Sequence, residues 1–162
     1  MMKVRDVMNP EPVAIQATAA VSDAVRLLRT EEISGMPVLE DERLVGVVSE
    51  SDLLKMLSVE RVGGLWLPSP LEILEVPIRD LIRWEKLQAE AEEAGTTTVS
   101  EVMTRKVFTV GPEESIQRAA SMMVRHRINR LPVLEEERLV GIVTRGDIIA
   151  GLGMEASEVE ED

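Results

Sequence analysis

The sequence predicts a duplicated α/β fold, two copies of one strand–helix–strand–strand–helix unit, and three observations carry that prediction. The first is an internal repeat at a fixed offset of 95 residues. Val7-Met8 returns as Val102-Met103, Pro37-Val38-Leu39-Glu40 as Pro132-Val133-Leu134-Glu135, and Glu42-Arg43-Leu44-Val45-Gly46 as Glu137-Arg138-Leu139-Val140-Gly141. Residues 3–57 align with 98–152 without a gap. The second is a change of apolar period inside each copy, from short continuous β-prone runs to helical spacing and back. The third is an acidic turn, Glu40-Asp41-Glu42 or Glu135-Glu136-Glu137, set between two apolar runs in the manner of a hairpin.

Taken in order, Pro12-Val13-Ala14-Ile15 and Lys106-Val107-Phe108-Thr109-Val110 are β-prone. Helices are expected over 19–32 and 113–127, with Val21, Ala24, Val25 and Leu28 on one apolar face and Ile116, Ala119, Ala120 and Met123 on the other. Met36–Leu39 and Leu131–Leu134 read as strands, the hairpins return along Leu44–Val48 and Leu139–Val143, and a last helix starts near Ser49 or Thr144 and ends at Leu57 or Leu152. Gly151-Leu152-Gly153 ends that helix in this reading. One copy is too small to bury much surface alone, so two should pack together.

The domains expected are therefore repeat 1 over 1–57, a connector over 58–97, repeat 2 over 98–152, and a disordered acidic tail over 153–162. Within the connector, Ser69-Pro70-Leu71-Glu72 has a cap, a first-turn proline and a capping-box acid, and a second helix is expected from Pro77 to Ala94. The loop from Gly63 through Trp66 to Pro68, with Leu81, Ile82, Trp84 and Leu87, supplies apolar surface. Packing on the repeats or a dimer contact is favoured there over a lid.

Composition narrows the function. Trp66, Trp84 and Phe108 are the only aromatic residues, so the core is aliphatic and methionine-rich. There is no cysteine and one histidine, which excludes a disulfide framework, a cysteine nucleophile and a His/Cys metal site, and fits a reducing compartment. A net charge of −12 argues against nucleic acid and anionic membrane as partners. With no apolar run long enough to span a bilayer and no signal-peptide pattern at the start, the chain reads as a soluble cytoplasmic protein. Few Asn and Gln beside many Glu and Arg point toward a thermophile.

The ordered set of Val-Met, the apolar-Pro-Val strand, Leu-Val-Gly, and a hydroxyl followed three residues later by Asp occurs twice at one offset. In this it resembles the CBS domain (cystathionine beta-synthase domain), which usually comes as a tandem pair. The resemblance implies two β-α-β-β-α units packed sheet to sheet about a pseudo-twofold axis, with two clefts between them. It also implies a non-catalytic regulatory role, binding AMP, ADP, ATP or S-adenosylmethionine and signalling to an effector protein, with homodimerisation through the pair. No cofactor is required in this reading, and Mg²⁺ would enter only with a nucleotide.

Ser49 with Asp52 and Thr144 with Asp147 are the first site candidates. A carboxylate can accept two hydrogen bonds from the cis-diol of a ribose, and the hydroxyl stands at a helix N-terminus that favours anions. The resemblance assigns these positions to ribose and phosphate. The same patterns are also capping boxes, and the residues alone leave both roles open. Arg127 and Arg130, with His126 and then Arg145, are candidate phosphate contacts because a guanidinium donates two hydrogen bonds at once. Arg125 belongs to the same run; a solvated helix end is the alternative role for the group. Positions 30–35 of the first copy carry Glu31 and Glu32 where the second carries bases, so the two sites are expected to be unequal. Val13, Ile15, Met36, Phe108, Val110 and Leu131 stand where the resemblance puts adenine contacts, with ordinary core as the alternative for each.

No P-loop, Gly-x-Gly-x-x-Gly, Gly-x-Ser-x-Gly or His-Glu-x-x-His pattern is present. The expected function is an adenine-nucleotide sensor, the alternative a dimerisation scaffold without ligand, and an enzyme comes last.

Overall fold

Val21, Ala24, Val25 and Leu28 are spaced by three and four, which puts them on one helical face, and all four are buried. They belong to α2 (Val21–Thr30) in a computed structural model that describes residues 1–61, 88, 89, 92 and 97–160, without the side chains of 57–61 and 158–160. Before α2 come α1 (Val4–Val7) and β1 (Ile15–Gln16); after it come β2 (Gly35–Glu40), β3 (Arg43–Ser49) and α3 (Glu50–Arg61). The second half contains α4 (Val99–Val102), α5 (Ile116–His126), β4 (Arg130–Glu135), β5 (Arg138–Thr144) and α6 (Arg145–Glu160). The expected connector elements from Ser69 through Trp84 to Leu87 lie outside the described residues, and so does the apolar loop around Trp66.

β1 pairs in parallel with β2, Ile15 opposite Val38, and the three-stranded order is β1-β2-β3. β4 and β5 form an antiparallel hairpin with Arg130 opposite Thr144 and Leu131 opposite Val143. The mixed α/β fold expected from the repeat is the one observed. Among the described residues no helix is long and apolar enough to cross a membrane.

The chain divides into two compact units. The first unit comprises Val13–Asp41 and Val45–Lys106, and its core joins Ile15, Val21, Leu28, Met36, Val48 and Leu53 to Val99 and Met103 of the α4 segment. The second comprises Met1–Pro12, Glu42–Leu44 and Val107–Asp162, and its core joins Val110, Ile116, Met123, Leu131, Val143 and Ile148 to Val4 of α1. Each unit thus takes its opening helix from the other sequence repeat. Backbone hydrogen bonds hold those helices in place. Val99 N–H donates to Ala19 at 2.9 Å and Val21 N–H to Thr97 at 3.1 Å in the first unit; Val4 N–H donates to Glu114 at 2.8 Å and Ile116 N–H to Met2 at 3.2 Å in the second.

Two expectations need correction. The run Lys106–Val110 forms no strand; it contributes only a parallel bridge between Val110 and Val133. In the first unit the ladder continues because Ala17 N–H donates to Leu39 at 2.8 Å. The matching residue in the second is Pro112, which has no N–H to give. The last helix also does not stop near Leu152: α6 passes through Gly151 and Gly153 to Glu160, so most of the segment expected as a disordered tail is helical. Gly151 sits against Val7, whose Cγ1 would lie 2.8 Å from an added Cβ, so this glycine serves close packing within the helix.

Candidate functional site

In the second unit, the hairpin β4–β5 delivers Thr144 to the start of α6. Thr144 caps the helix reciprocally with Asp147: Thr144 N–H and Oγ1 donate to Asp147 Oδ2 at 2.8 and 2.9 Å, and Asp147 N–H donates to Thr144 Oγ1 at 3.3 Å. Asp147 Oδ1 has no hydrogen-bond partner among the described residues. Arg130 is paired across the hairpin with Thr144, and Arg145 N–H donates to the carbonyl of Asn129 at 2.9 Å. The end of α5 is closed by Arg127 in the left-handed conformation, with φ 54° and ψ 47°. Thr144, Asp147, Arg130 and Arg145 therefore share one corner of the unit, which the loop from Arg127 leads into. Arg127 and Arg145 are exposed and Arg130 is half-buried.

The matching corner of the first unit has the same cap and different surroundings. Ser49 N–H and Oγ donate to Asp52 Oδ2 at 2.9 and 3.1 Å, and Asp52 N–H lies 3.4 Å from Ser49 Oγ. The other carboxylate oxygen is engaged as well, since Thr104 Oγ1 donates to Asp52 Oδ1 at 2.9 Å. Where the second unit has Arg127, Arg130 and Arg145, the first has Glu32, Gly35 and Glu50. Glu50 is buried at 6 % exposure, and its N–H donates to Ser34 at 3.0 Å. The charge of the corner is thus inverted around a cap that is the same in both units.

Ile15 and Met36 are core residues of the first unit, Val110 and Leu131 of the second; Val13 and Phe108 are half-buried against those cores. Phe108 and His126 are stacked on each other, ring centroids 3.7 Å apart and planes 14° from parallel. His126 thereby covers one face of the aromatic ring. Both capping boxes, which the residues had left open against a ligand role, are formed.

Sequence reasoning missed Thr104 and its counterpart Asn9. Thr104 is held beside the corner of the first unit by paired backbone bonds with Val47, 3.0 and 2.9 Å; Asn9 is held beside the other by Ile142, 2.8 and 3.0 Å. The signal was present in the repeat itself, because each residue directly follows the repeated Val-Met.

The family model described as the CBS domain matches residues 4–59 and 99–153. An uncharacterised protein of Methanocaldococcus jannaschii is 41% identical over 155 residues, covering 94% of this chain and 92% of the relative. The inosine-5'-monophosphate dehydrogenase of Korarchaeum cryptofilum is 30% identical over 146 residues, 90% of this chain but only 22% of the enzyme. Among solved structures, CBSX2 in complex with AMP superposes with a TM-score of 0.68 at 26% identity, covering 96% of this chain and 99% of that one. With its two matched segments accounting for most of its length, the chain belongs to the CBS-domain family and carries two CBS domains in tandem.

Proposed function

We propose that this protein is a non-catalytic regulatory module that binds one adenine nucleotide at the Thr144–Asp147 corner and signals its occupancy to an effector protein. The observation that carries the reading is the conjunction at that corner of a capped helix start, a carboxylate oxygen unpartnered among the described residues, and Arg130 and Arg145. Asp147 Oδ1 would accept the ribose diol, while the guanidinium groups at the start of α6 and β4 would meet the phosphates. Arg127 and His126 would flank the phosphates from the end of α5, and Phe108 would border the base. AMP bound to the CBSX2 relative supports an adenine nucleotide as ligand. The small share of the inosine monophosphate dehydrogenase that matches supports a regulatory rather than a catalytic role. A cytoplasmic homodimer is the working form in this reading.

Calorimetric titration with AMP, ADP, ATP and S-adenosylmethionine tests it. One phosphate-bearing ligand should bind per chain, and Asp147→Ala should weaken it about 10- to 100-fold, the range for losing hydrogen bonds to a charged group. Failure of all four ligands to bind near millimolar concentration overturns the proposal and leaves a dimerisation scaffold. Loss of melting temperature in Asp147→Ala with unchanged affinity would assign Asp147 to capping alone.

A further inference from the structure

The two capping aspartates differ in how many hydrogen bonds they can still accept. A carboxylate offers about four acceptor positions, two on each oxygen. In both units Oδ2 already takes two donors, the backbone N–H and the hydroxyl of the capping residue. On Asp147 both positions of Oδ1 are open among the described residues. On Asp52, Thr104 Oγ1 occupies one of the two at 2.9 Å. A ribose diol donating two hydrogen bonds to one oxygen therefore finds enough acceptors at Asp147 and one too few at Asp52.

Position 9 explains why the second corner stays open. Asn9 holds the same backbone place against Ile142 that Thr104 holds against Val47. Its side-chain carbonyl instead accepts from the backbone N–H of Glu11 at 3.0 Å, an Asx turn just ahead of Pro12. Its carbonyl is thus engaged in its own loop, and among the described residues its NH2 makes no bond to Asp147, whereas the threonine hydroxyl donates to Asp52.

We propose that the residue after each Val-Met pair sets whether a unit accepts a ribose: Thr104 closes the Asp52 corner, and Asn9 leaves the Asp147 corner open. The inference rests on the ribose-binding reading of Asp147 given above. Thr104 acts as a specificity-determining residue by competing within the chain for the acceptor that a ribose hydroxyl needs.

Adenosine is the probe that isolates this effect, because it carries the diol without phosphate and so does not report the inverted charge of the corners. Backbone amide NMR of the full chain reads each corner separately, at Ser49–Asp52 and at Thr144–Asp147. In the wild type only the second set should shift. Thr104→Val keeps the shape of the side chain and removes the donor. It should bring shifts at Ser49–Asp52, with affinity there rising roughly three- to tenfold, as for one net hydrogen bond. Affinity at Thr144–Asp147 should stay unchanged. Thr104→Asn, copying the Met-Asn pair of the other repeat, should act in the same direction, and Asn9→Thr should weaken adenosine at Asp147 by a similar factor. Equal shifts at both corners in the wild type overturn the inference, as does a Thr104→Val protein that is folded by its melting curve and still binds only at Asp147. If adenosine and AMP shift neither corner in any variant, the ribose-binding reading falls and this inference with it, an outcome distinct from binding at Asp147 alone.

Discussion

Every core position of the second unit stands 95 residues from a core position of the first: Val110 with Ile15, Ile116 with Val21, Met123 with Leu28, Leu131 with Met36, and so on to Val4 with Val99. The same offset at the capping corner links Arg127 with Glu32, Arg145 with Glu50, and Asn9 with Thr104. The interior of the duplicate is therefore matched in place and nearly in volume, while its corner has changed sign and hydrogen bonding. Packed interiors resist change because a lost or added methylene leaves a void or a clash. A half-exposed helix start has no such restriction. Surface side chains there can be exchanged so long as the cap survives, and it survives in both units as Ser49–Asp52 and Thr144–Asp147.

The strongest way to break this comparison is to damage the cores in parallel. Leu28 is fully buried in α2, and Met123 is 5 % exposed at the matching place in α5. Leu28→Ala and Met123→Ala should each destabilise by about 2–5 kcal/mol, with the methionine variant toward the lower end because Met123 is not fully buried and methionine sites tolerate substitution more readily. Chemical denaturation followed by circular dichroism measures both. A loss under 1 kcal/mol for either would mean that the two cores are not equivalent, despite their alignment.

The residues themselves disclosed this part of the molecule well, since core positions repeat at a fixed offset and follow helical and strand periods. The hairpins and both capping boxes were equally legible, because each depends on neighbours within a few residues. Three features were not. The loss of a strand before Val110 depends on Pro112 standing where Ala17 donates to Leu39, a pairing between separated segments. The exchange of opening helices depends on which core Val4 and Val99 enter, and both would suit either one. The Thr104–Asp52 bond joins residues 52 apart, and nothing local to Thr104 distinguishes an occupied hydroxyl from a free one. Local chemistry is written in the sequence; partner choice at long range is settled by packing.

The hairpin turns sharpen the comparison at a smaller scale. Glu136 and Glu137 both have positive φ, 49° and 66°, whereas in the first unit the turn places Asp41 at 56°. Two consecutive left-handed residues suit Asn-Gly, and glutamate has no side-chain bond to compensate for the strain. The double substitution Glu136→Asn with Glu137→Gly should stabilise the protein by about 1 kcal/mol through the turn. Thermal melts would register it as a rise of a few degrees. A fall in melting temperature would show that the glutamates contribute more than backbone strain takes away.

The smallest contrast is an ion network described around α1 in the second unit. In the second unit Lys3 and Arg5 both bond Glu113, and Arg5 also approaches Glu135 at 3.8 Å. The positions matching Lys3, Arg5 and Glu113 are Thr98, Ser100 and Thr18, which cannot form such a network. The hydrogen bond from the Lys3 ammonium, with the Arg5 and Lys3 charges behind it, holds the Glu113 carboxyl below the ordinary carboxylate value. A carboxyl depressed in the folded state binds protons less readily there than in the unfolded chain. Its contribution is present above the unfolded value and is lost as pH falls through the folded one. The groups are solvent-exposed, so the contribution is small and screened by salt. Glu113→Gln should therefore leave stability nearly unchanged in high salt and flatten its decline on the acid side in low salt. The outcome that contradicts this is an acid limb of equal slope in both proteins at low ionic strength. The network would then be an arrangement of surface charges that adds nothing to the docking of α1, which the backbone bonds of Val4 and Ile116 would hold alone.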